Sequence, residues 1–461
     1  MQPTKIVGFT RKQILNMCQY PERYGKQIIR LMNVMYQKSG YIRRTIDYFA
    51  NMAKARYYVD TEFLNANAFS KTATKTLKNN YLKFCAQASK FNISNQINTI
   101  IRQMILHDAC FAFVVNNEID TSYYFLDPAY CEITGIVNGN IFQFAINRSL
   151  LTNSYFDKMP GELQNLINAS YDISPNNLVQ VPYENSFCLK YHEDFLYLFP
   201  AFFPMIADVL LIDEYKDLAK TKAINDAYKL LVLKVPTKDG KLTMDDSVIS
   251  PFIQTALEVI QENIGVLPYP GDVDSVEFSS TNSDDRDKVS DASSWTFAEV
   301  GVSQSLMSGA TSGSELKQSI TNDSGDVFRI YRMIENWISL QMKLRGFIYR
   351  NYQFVYKLLD ITIFNEQDVI DSELKLAQAS VPNKQRLCAA TGMSPGSMLG
   401  NIIVEQDVFK DIFDKMQPLK SSYTQSGDSE DVGRPQKNDS EISEVTENTR
   451  ANDENDKDNR V

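Results

Sequence analysis

The order of segments in the middle of the chain constrains the fold more than any single motif. Two helix-like segments, Phe203–Tyr228 and Asp284–Gly301, flank a compact stretch with strand character. The second leads into the Gly/Ser-rich stretch Gly309–Ser314, and a long run with helical apolar spacing follows. This order of helix, insert, helix, loop and long helix is unlike one that lines a single catalytic pocket. It predicts a rod with a small folded knob at one end and a mobile loop at the other.

Size and composition indicate a folded protein in a reducing compartment. With 461 residues, 43% of them hydrophobic, the chain can bury a sizeable core. Its start, Met1–Lys5, leads into polar residues, so we expect no secretory signal and a cytoplasmic origin. The most apolar run, Phe195–Ala207, is too short to span a bilayer and is interrupted by prolines, which favours a buried core segment. Six cysteines without C-x-x-C spacing indicate ordinary thiols.

Negative charge is concentrated at the end of the chain. The formal net charge is −10, and Thr424–Val461 holds 11 acidic against 5 basic residues. This segment has almost no large apolar side chains to offset its ordering entropy. The sequence therefore predicts a disordered acidic tail.

The first third of the chain predicts helices followed by a small antiparallel sheet. Helices are expected from Pro21 onward, over Tyr41–Tyr57 and over Ala68–Phe91. From Ala109 the apolar period shortens towards two, and Asn138-Gly139 between β-rich runs predicts a hairpin.

The insert and the last folded part also give local predictions. In the insert these are the strand Leu230–Val235, a turn at Asp239-Gly240, a helix from Ser250 to about Asn263, and the strand Val273–Phe278. After the Gly/Ser loop, apolar residues at helical spacing predict the longest helix of the chain. Three shorter helices are expected beyond it: Asp368–Ala379, Lys384–Thr391 and one opening at Ser394-Pro395. The predicted fold class is α+β, mainly helical.

Residues suited to catalysis are sparse. No Walker A sequence is present, because the Gly309 to Gly313 spacing lacks the Gly-Lys that must follow it, so we expect no ATP hydrolysis by the chain. The only histidines are His107 and His192, and His107 closes a predicted helix beside an apolar strand, which favours a structural role. No catalytic residue, cofactor or metal ligand is predicted.

An acidic cluster leaves one enzymatic alternative open. Asp284, Asp285, Asp287 and Asp291 lie close together on one predicted helix. Negative charge in the first turn of a solvated helix is the commoner explanation. The alternative is a metal-dependent enzyme that processes nucleic acid with Asp284, Asp285 and Asp287.

Several short strings resemble the portal (connector) proteins of tailed double-stranded DNA bacteriophages, in particular those of phages that infect Gram-positive hosts. The strings, in chain order, are Leu198-Phe199-Pro200, Leu230–Pro236, Asp274–Phe278 leading into Asp284-Asp285, Phe297–Ser303, Leu306–Gly309, Pro382-Asn383-Lys384, Gly392–Pro395 and Gly433-Arg434-Pro435. The family usually has prolines where this chain has Ser303-Gln304.

The resemblance implies names for the parts of the chain. They are a wing of helices and a small antiparallel sheet (1–199), a first stem helix (200–229), an α/β clip (230–279), a second stem helix (280–301), a tunnel loop (302–322), a long helix between wing and crown (323–360), a helical crown (361–423) and the disordered tail (424–461). Members of the family form rings of about twelve subunits around a DNA channel, and such a ring would carry a charge on the order of −120.

The resemblance also implies site residues. The tunnel loop would present to DNA Gln304, Ser308, Gly309, Thr311, Ser312, Gly313, Ser314 and Lys317. The clip would dock the packaging motor and adaptor through Thr237, Lys238, Asp239, Gly240 and Lys241. Lys317 is a candidate phosphate contact; alternatively, it is an isolated surface lysine without a role in binding. For the loop as a whole, the alternative is a plain solvated linker.

The function implied is that of a non-enzymatic portal. It would act in procapsid assembly, DNA packaging, head-tail joining and DNA ejection, with assembly in the host cytoplasm and a final place at one capsid vertex of the virion. The implied partners are copies of the chain, double-stranded DNA, the terminase large subunit, the major capsid and scaffolding proteins and a head-completion protein, with no membrane. A scaffold bound to a membrane through Phe195–Ala207 is a third possibility.

Overall fold

Helices predominate in the structure, and the fold class is α+β, mainly helical, as the sequence predicts. This computed structural model describes residues 8–64, 71–117, 119–170, 177–227, 229–234, 237–238, 241–242, 251, 254, 264–269, 275–277 and 313–413. The chain divides into two units, Met1–Leu399 and Gly400–Val461.

The helices and strands follow one another in a mixed order. The helices are α1 (Arg11–Gln19), α2 (Pro21–Lys38), α3 (Gly40–Met52), α4 (Lys71–Lys90), α5 (Ile93–His107), α6 (Asn153–Phe156), α7 (Gly161–Ala169), α8 (Met205–Ala227), α9 (Gly313–Leu344), α10 (Glu366–Gln378), α11 (Lys384–Ala390), α12 (Pro395–Ile403) and α13 (Lys410–Phe413). The strands are β1 (Tyr57–Phe63), β2 (Ala109–Asn116), β3 (Thr121–Phe125), β4 (Cys131–Asn138), β5 (Ile141–Asn147), β6 (Leu178–Gln180), β7 (Ser186–Lys190), β8 (Lys229–Lys234), β9 (Thr237–Lys238), β10 (Lys241–Leu242), β11 (Ile264–Tyr269), β12 (Ser275–Glu277) and β13 (Tyr352–Leu358).

The first helices pack their apolar faces into one large core. A capping box formed by Thr10 and Gln13 starts α1, and Pro21 occupies the first turn of α2, where its missing N–H costs nothing. Isoleucine, leucine and methionine side chains of α2, α3 and α5 are fully buried in the same cluster as α9. The predicted helix Tyr41–Tyr57 is too long, because the chain is extended at Ala53 and Tyr57 begins a strand.

A six-stranded antiparallel sheet follows the helices. Its order is β3-β2-β7-β5-β4, with β6 also paired to β5. The hairpin predicted at Asn138-Gly139 joins β4 to β5, where Asn138 pairs with Ile141. One face packs on the main core, and the other buries Phe111, Phe144 and their neighbours under α7.

The strand β13 corrects the prediction for residues 323–360. That range was expected to be one long helix, but α9 ends at Leu344 and Gly346 adopts a φ of 82°, which ends helical pairing. The next residues alternate between buried and exposed positions, and β13 pairs antiparallel with β1, Tyr57 opposite Leu358. The partner strand β1 is so far away in sequence that local residue patterns could not predict this pairing.

The helix α9 also begins earlier than predicted. The tunnel loop was expected to extend over 302–322, but residues 313–322 are the first turns of α9. Helix formers such as Leu316, Lys317 and Gln318 follow Gly313 without a proline, so nothing in this stretch opposes the helix. The range 302–312 lies outside the described residues.

The helices after β13 agree with the sequence. The predicted helices Asp368–Ala379 and Lys384–Thr391 correspond to α10 and α11, and α12 opens at Pro395 as expected. In the first unit, α11 contributes Ala389 and Ala390 to a small core with Leu359 and Ile361. The second unit, described through residue 413, contains the end of α12, a π-helical turn over Val404–Val408 and α13. The predicted tail 424–461 lies outside the described residues.

Candidate functional site

The most informative region is the pair of helices through which the chain leaves and re-enters the main core. The first half of α8 is anchored there, because Met205, Ile206, Val209 and Leu210 are at most 2% exposed and belong to the main cluster. Phe203, just before the helix, is also fully buried. The run Phe195–Ala207 thus ends in the protein core, as the sequence predicts.

The second half of α8 has a different character. After Ile212 the described side chains are mostly polar and exposed, among them Asp213, Lys216 and Lys220. Lys216 lies 3.8 Å from Asp213 and 4.9 Å from the ring centre of Tyr41. From Asp213 to the end of α8 at Ala227 the helix extends for about 22 Å at ~1.5 Å per residue. A charged helix of this length gains its stability from packing on a partner, or it stays marginal in water.

The helix α9, along which the chain returns to the core, has its exposed part first and its buried part second. The described side chains from Ser314 to Asn322 are exposed or half-buried, whereas Val327, Ile330 and Trp337 are fully buried. The chain therefore leaves the core along α8, passes through residues 228–312 and returns along α9. Both helices are fixed at the core, and their described side chains farther from the core are mostly exposed.

Within this excursion the structure describes a small sheet. Strand β8 is central, with β11 parallel on one side and β12 antiparallel on the other. The predicted strands Leu230–Val235 and Val273–Phe278 correspond to β8 and β12, whereas β11 was not predicted. A parallel pair requires a crossover between its strands, so the insert is an α/β or β unit rather than a simple hairpin.

Three of the predicted clip residues, Thr237, Lys238 and Lys241, lie on a short pair of strands that follows β8 in the chain. Thr237 and Lys238 form β9, and Lys241 opens β10, with Lys238 paired to Lys241. Asp239 and Gly240, predicted as the turn, lie outside the described residues. The pairing leaves two residues between the strands, as a tight hairpin requires.

The predicted tunnel-loop residues are divided by the start of α9. Gln304, Ser308, Gly309, Thr311 and Ser312 lie outside the described residues. Gly313, Ser314 and Lys317 were expected in a loop, but they are helical. The Nζ atom of Lys317 lies 3.0 Å from Oδ2 of Asp368 on α10, and both side chains are largely exposed. Lys317 therefore has a carboxylate partner, which a phosphate would have to replace.

A buried polar cluster holds the chain just before α8. Asp108 and Lys190 are both 0% exposed, and Lys190 Nζ donates to Asp108 Oδ2 at 2.5 Å. Asp108 Oδ1 accepts from the backbone N–H of His192 at 3.0 Å and lies 2.7 Å from His192 Nδ1. Oδ2 also accepts from the backbone N–H of Phe199 at 3.0 Å. One carboxylate thus connects α5, β7 and the segment that leads into α8.

Lys190 has further partners that compensate for its burial. Its Nζ donates to the carbonyl oxygen of His192 at 2.5 Å and lies 4.1 Å from the ring centre of Phe195. Burial lowers the pKa of Lys190, and the negative charge of Asp108 opposes that shift. The sequence analysis missed this pair. The available signal is a lysine at the end of the otherwise apolar run Phe187–Leu189.

A second polar contact ties the core to the start of the buried part of α9. Tyr48 donates to Asp323 Oδ2 at 2.9 Å, and burial raises the pKa of Asp323 to about 6. A cavity of about 430 Å³ lies beside it, lined by residues of the α8 approach and of α9, including Phe202, Met205 and Asp326. The place where α8 leaves the core and α9 returns to it is therefore partly polar.

The histidines and cysteines fit structural roles. His107 ends α5, contacts the side-chain oxygens of Gln103 and Asn33 at 2.6 Å each, and has its pKa lowered to about 4 by burial. The thiols of Cys110, Cys131 and Cys188 are buried, which raises their pKa values and makes the thiolate form scarce.

Neither a metal-ligand cluster nor a single membrane-spanning helix is present in the part of the chain that the structure describes. Within those ranges no three His, Cys, Asp or Glu side chains come together as metal ligands. Asp284, Asp285, Asp287 and Asp291 lie outside them. Over the same ranges no single helix is long and apolar enough to cross a membrane; the bent pair Lys384–Ala390 and Pro395–Val408 reaches the required length and composition only together.

Comparisons with known proteins give structural similarities only. No family model matches the chain, and no curated protein matches it. Among solved structures, a chain from the neck of an empty gene transfer agent (GTA) particle, computed with C6 symmetry, is 11% identical with a TM-score of 0.47. The alignment covers 77% of this chain and 94% of that chain.

A second similar chain comes from the virion of a native gene transfer agent particle. It is 10% identical with a TM-score of 0.45, and the alignment covers 77% of this chain and 90% of that one. Both similarities are to components of gene transfer agent particles. At these values the function has to be argued from the chain itself.

Proposed function

We propose that this protein is a portal-like subunit that assembles into a ring and lets double-stranded DNA pass through the ring's centre. The observation that carries the proposal is the asymmetry of α8 and α9. Each is buried in the core at one end, and the described side chains at the other end are mostly polar and exposed. Within one copy the described side chains at these ends remain mostly exposed, apart from contacts such as that of Lys216 with the Tyr41 ring, whereas copies placed side by side would cover them.

Charge supports a conduit rather than a clamp. The chain has a net charge of −10, and a ring of copies multiplies it. A protein that neutralises many phosphates binds DNA tightly and in a salt-dependent way, which would oppose rapid passage. A negative ring with few basic contacts would instead repel the duplex from its walls.

The finer assignments follow from the family resemblance. In this proposal α8 is the first stem helix, and the sheet of β8, β11 and β12 with the β9–β10 hairpin is the clip that docks the terminase large subunit and a head-completion protein. Residues 302–312 and the start of α9 form the DNA-facing finger. The assembled ring of about twelve copies occupies one capsid vertex, where it also meets the major capsid and scaffolding proteins. The expected hosts are Gram-positive bacteria.

The proposal is tested by the size and shape of the purified protein. Negative-stain microscopy should show annular particles with a central hole, and light scattering should give a mass of ~630 kDa for a twelve-membered ring of 52.6 kDa chains. A protein that stays monomeric across the micromolar range, with no ring in any image, would contradict the proposal.

The enzymatic alternative is tested in the same preparation. A nuclease that uses Asp284, Asp285 and Asp287 would cut DNA only with a divalent cation and would lose activity on Asp285→Asn. We expect no magnesium-dependent cleavage above that of a mock preparation. Cleavage that the substitution abolishes would favour the enzyme over the portal.

A further inference from the structure

A groove beside strand β1 has the features of a binding site for an extended segment. It has a volume of about 690 Å³ and lies between the outer edge of β1 and the connection from α10 to α11. Val59 and Thr61 line one side, and Val381, Asn383 and Lys384 line the other. No function has been given to this groove so far.

The edge of β1 offers backbone groups to a partner. In the antiparallel pair with β13, Leu64 donates to Asn351 and Leu359 donates to Arg56, so even-numbered residues of β1 face β13. The backbone groups of Val59 and Thr61 therefore point away from β13, towards the groove. The Thr61 N–H is held by the carboxylate of Asp60 at 2.9 Å.

The outward groups of Val59 form no hydrogen bond with any described residue. A strand edge with unpaired groups can pair with another strand. Val59 is 3% exposed, so an incoming segment has to move aside the side chains that cover this edge before it pairs there. Because Asp60 blocks the neighbouring donor, the open part of the edge is short. It suits a turn or a short extended segment rather than a long strand.

Asn383 supplies a second acceptor in the groove. It is 3% exposed, and its Nδ2 donates to the backbone oxygen of Glu373 at 2.8 Å and to the carboxylate of Glu373 at 2.6 Å. These two acceptors fix the orientation of the amide, so Oδ1 is on the other side, where it has no partner. A buried acceptor without a donor is unfavourable, and an N–H from a bound segment would satisfy it.

The charge of the groove favours an acidic segment. Lys384 is exposed and forms no ion pair with a described residue. Arg386 lies 2.6 Å from Glu373 and keeps 45% of its side chain exposed. Both cations are at the α11 side of the groove, opposite Asp60.

The chain carries an acidic, apolar projection that matches this groove. Ile119 is 86% exposed, the largest value among the described large apolar side chains, and it lies between Glu118 and Asp120 in the connection from β2 to β3. The base of the connection is held by the Asn117 N–H, which donates to the carbonyl oxygen of Asp120 at 2.9 Å. We call the described residues Asn117, Ile119 and Asp120 the wing tip.

Another exposed apolar residue has the wrong charge around it. Ile348 is 72% exposed, but Arg345 and Arg350 lie near it in sequence. A basic projection would be repelled by Lys384 and Arg386. Of these two projections, only the wing tip is complementary to the groove in charge.

We propose that the wing tip of one copy docks into the groove of the next copy, an inference that rests on the ring put forward under Proposed function. Two different surfaces then meet, which is the heterologous contact that a closed ring requires. Ile119 enters the groove, its neighbouring backbone pairs with Val59 and Asn383, and Asp120 approaches Lys384. The contact fixes the angle between neighbours in addition to the larger surface that holds the ring.

The test uses exposed residues, so folding is preserved. Ile119→Ser removes the apolar anchor, and Ile348→Ser is the matched control outside the wing tip. Mass photometry over a dilution series gives the concentration at which half of the rings dissociate. We expect Ile119→Ser to raise that concentration at least about tenfold. A tenfold change corresponds to ~1.4 kcal/mol per interface, which the burial of one isoleucine side chain can supply. Ile348→Ser should leave it unchanged.

A charge exchange tests the pairing of the two surfaces directly. Asp120→Lys and Lys384→Glu should each weaken assembly, and the double variant should regain most of the wild-type value. Thermal unfolding of each variant checks that the subunit itself is intact.

The possible results separate this inference from the proposed function. Rings that form equally well with Ile119→Ser, or single charge variants that the double variant does not rescue, overturn the docking while the portal proposal stands. Absence of rings from the wild-type protein overturns both.

Discussion

Replacing Asp108 with asparagine should destabilise the protein more than most single substitutions. The side chain is fully buried, and its two oxygens contact Lys190, His192 and the backbone N–H of Phe199. Asparagine has almost the same shape, and it tolerates the φ of 69° that residue 108 adopts. The substitution therefore removes the negative charge while it keeps the backbone and the packing.

The magnitude follows from the partner that is left behind. Lys190 is 0% exposed, so without Asp108 its ammonium group is buried without the carboxylate that contacts it, and Asp194 is the remaining acidic group that attracts it. Breaking one side of such a pair costs ~3–5 kcal/mol in the free energy of unfolding. Lys190→Met combined with Asp108→Asn removes the stranded charge, so the double variant should recover much of the loss.

The deficit should depend on pH with a definite sign. Burial already lowers the pKa of Lys190, and the loss of Asp108 lowers it further. Between that lowered pKa and the unfolded value of ~10.4, the unfolded chain binds more protons, so stability rises with pH. Asp108→Asn should therefore lose less relative to wild type at pH 9 than at pH 7.

Urea unfolding at both pH values measures these quantities. It should be followed by circular dichroism at a protein concentration where light scattering shows the same assembly state for all variants. Two results would refute this account of the pair. One is that Asp108→Asn lowers the free energy of unfolding by less than about 1 kcal/mol at pH 7. The other is that the double variant is no more stable than the summed effects of Asp108→Asn and Lys190→Met predict.

Three further substitutions test other parts of the fold. Trp337→Phe should cost about 2 kcal/mol in urea unfolding, since it leaves a cavity and removes the donor to the Ser186 carbonyl oxygen at 2.8 Å; an unchanged midpoint would contradict this. Gly392→Ala should lower the melting temperature, because the φ is 100° and the new Cβ would lie 2.9 Å from the guanidinium of Arg56; equal melting temperatures would count against it. Asp323→Asn should raise the free energy of unfolding by about 1–2 kcal/mol at pH 8 but not at pH 4. The pKa of Asp323 is about 6 in the folded state and ~3.9 in the unfolded chain, so the native state binds more protons between these values. The stability of the wild type therefore falls as the pH rises through that window. A gain of equal size at both pH values would show that charge is not the cause.

Local signals in the sequence predicted local structure well. Proline in the first turn located α2 and α12, and Asn138-Gly139 located a hairpin. The sequence also predicted that α8 is apolar at its start and charged afterwards. These features depend on residues that are close together in the chain.

Pairings between distant segments could not be read in this way. Strands β1 and β13 each have alternating residues, yet nothing in either sequence indicates the other as its partner; β13 was assigned to a helix, and of β1 only Tyr57 was, while the rest of β1 was not assigned. The period-two pattern of Tyr352, Phe354 and Tyr356 was the available signal. The carboxylate of Asp108 follows His107 directly in the sequence, whereas its partners come from β7 and the segment after it.

The buried pair and the exposed helix ends belong to one arrangement. Asp108 accepts a hydrogen bond from the backbone N–H of Phe199, which lies a few residues before the start of α8, so the buried Asp108–Lys190 pair helps to fix the segment that leads into α8. The described side chains towards the far ends of α8 and α9 are mostly polar and exposed, which in the proposed ring leaves them available to neighbouring copies. Asp108→Asn should therefore disturb assembly as well as folding, whereas Ile119→Ser should disturb assembly alone. If both variants weakened rings but left the unfolding midpoint unchanged, the direction of α8 would depend on neighbouring copies and not on the buried pair.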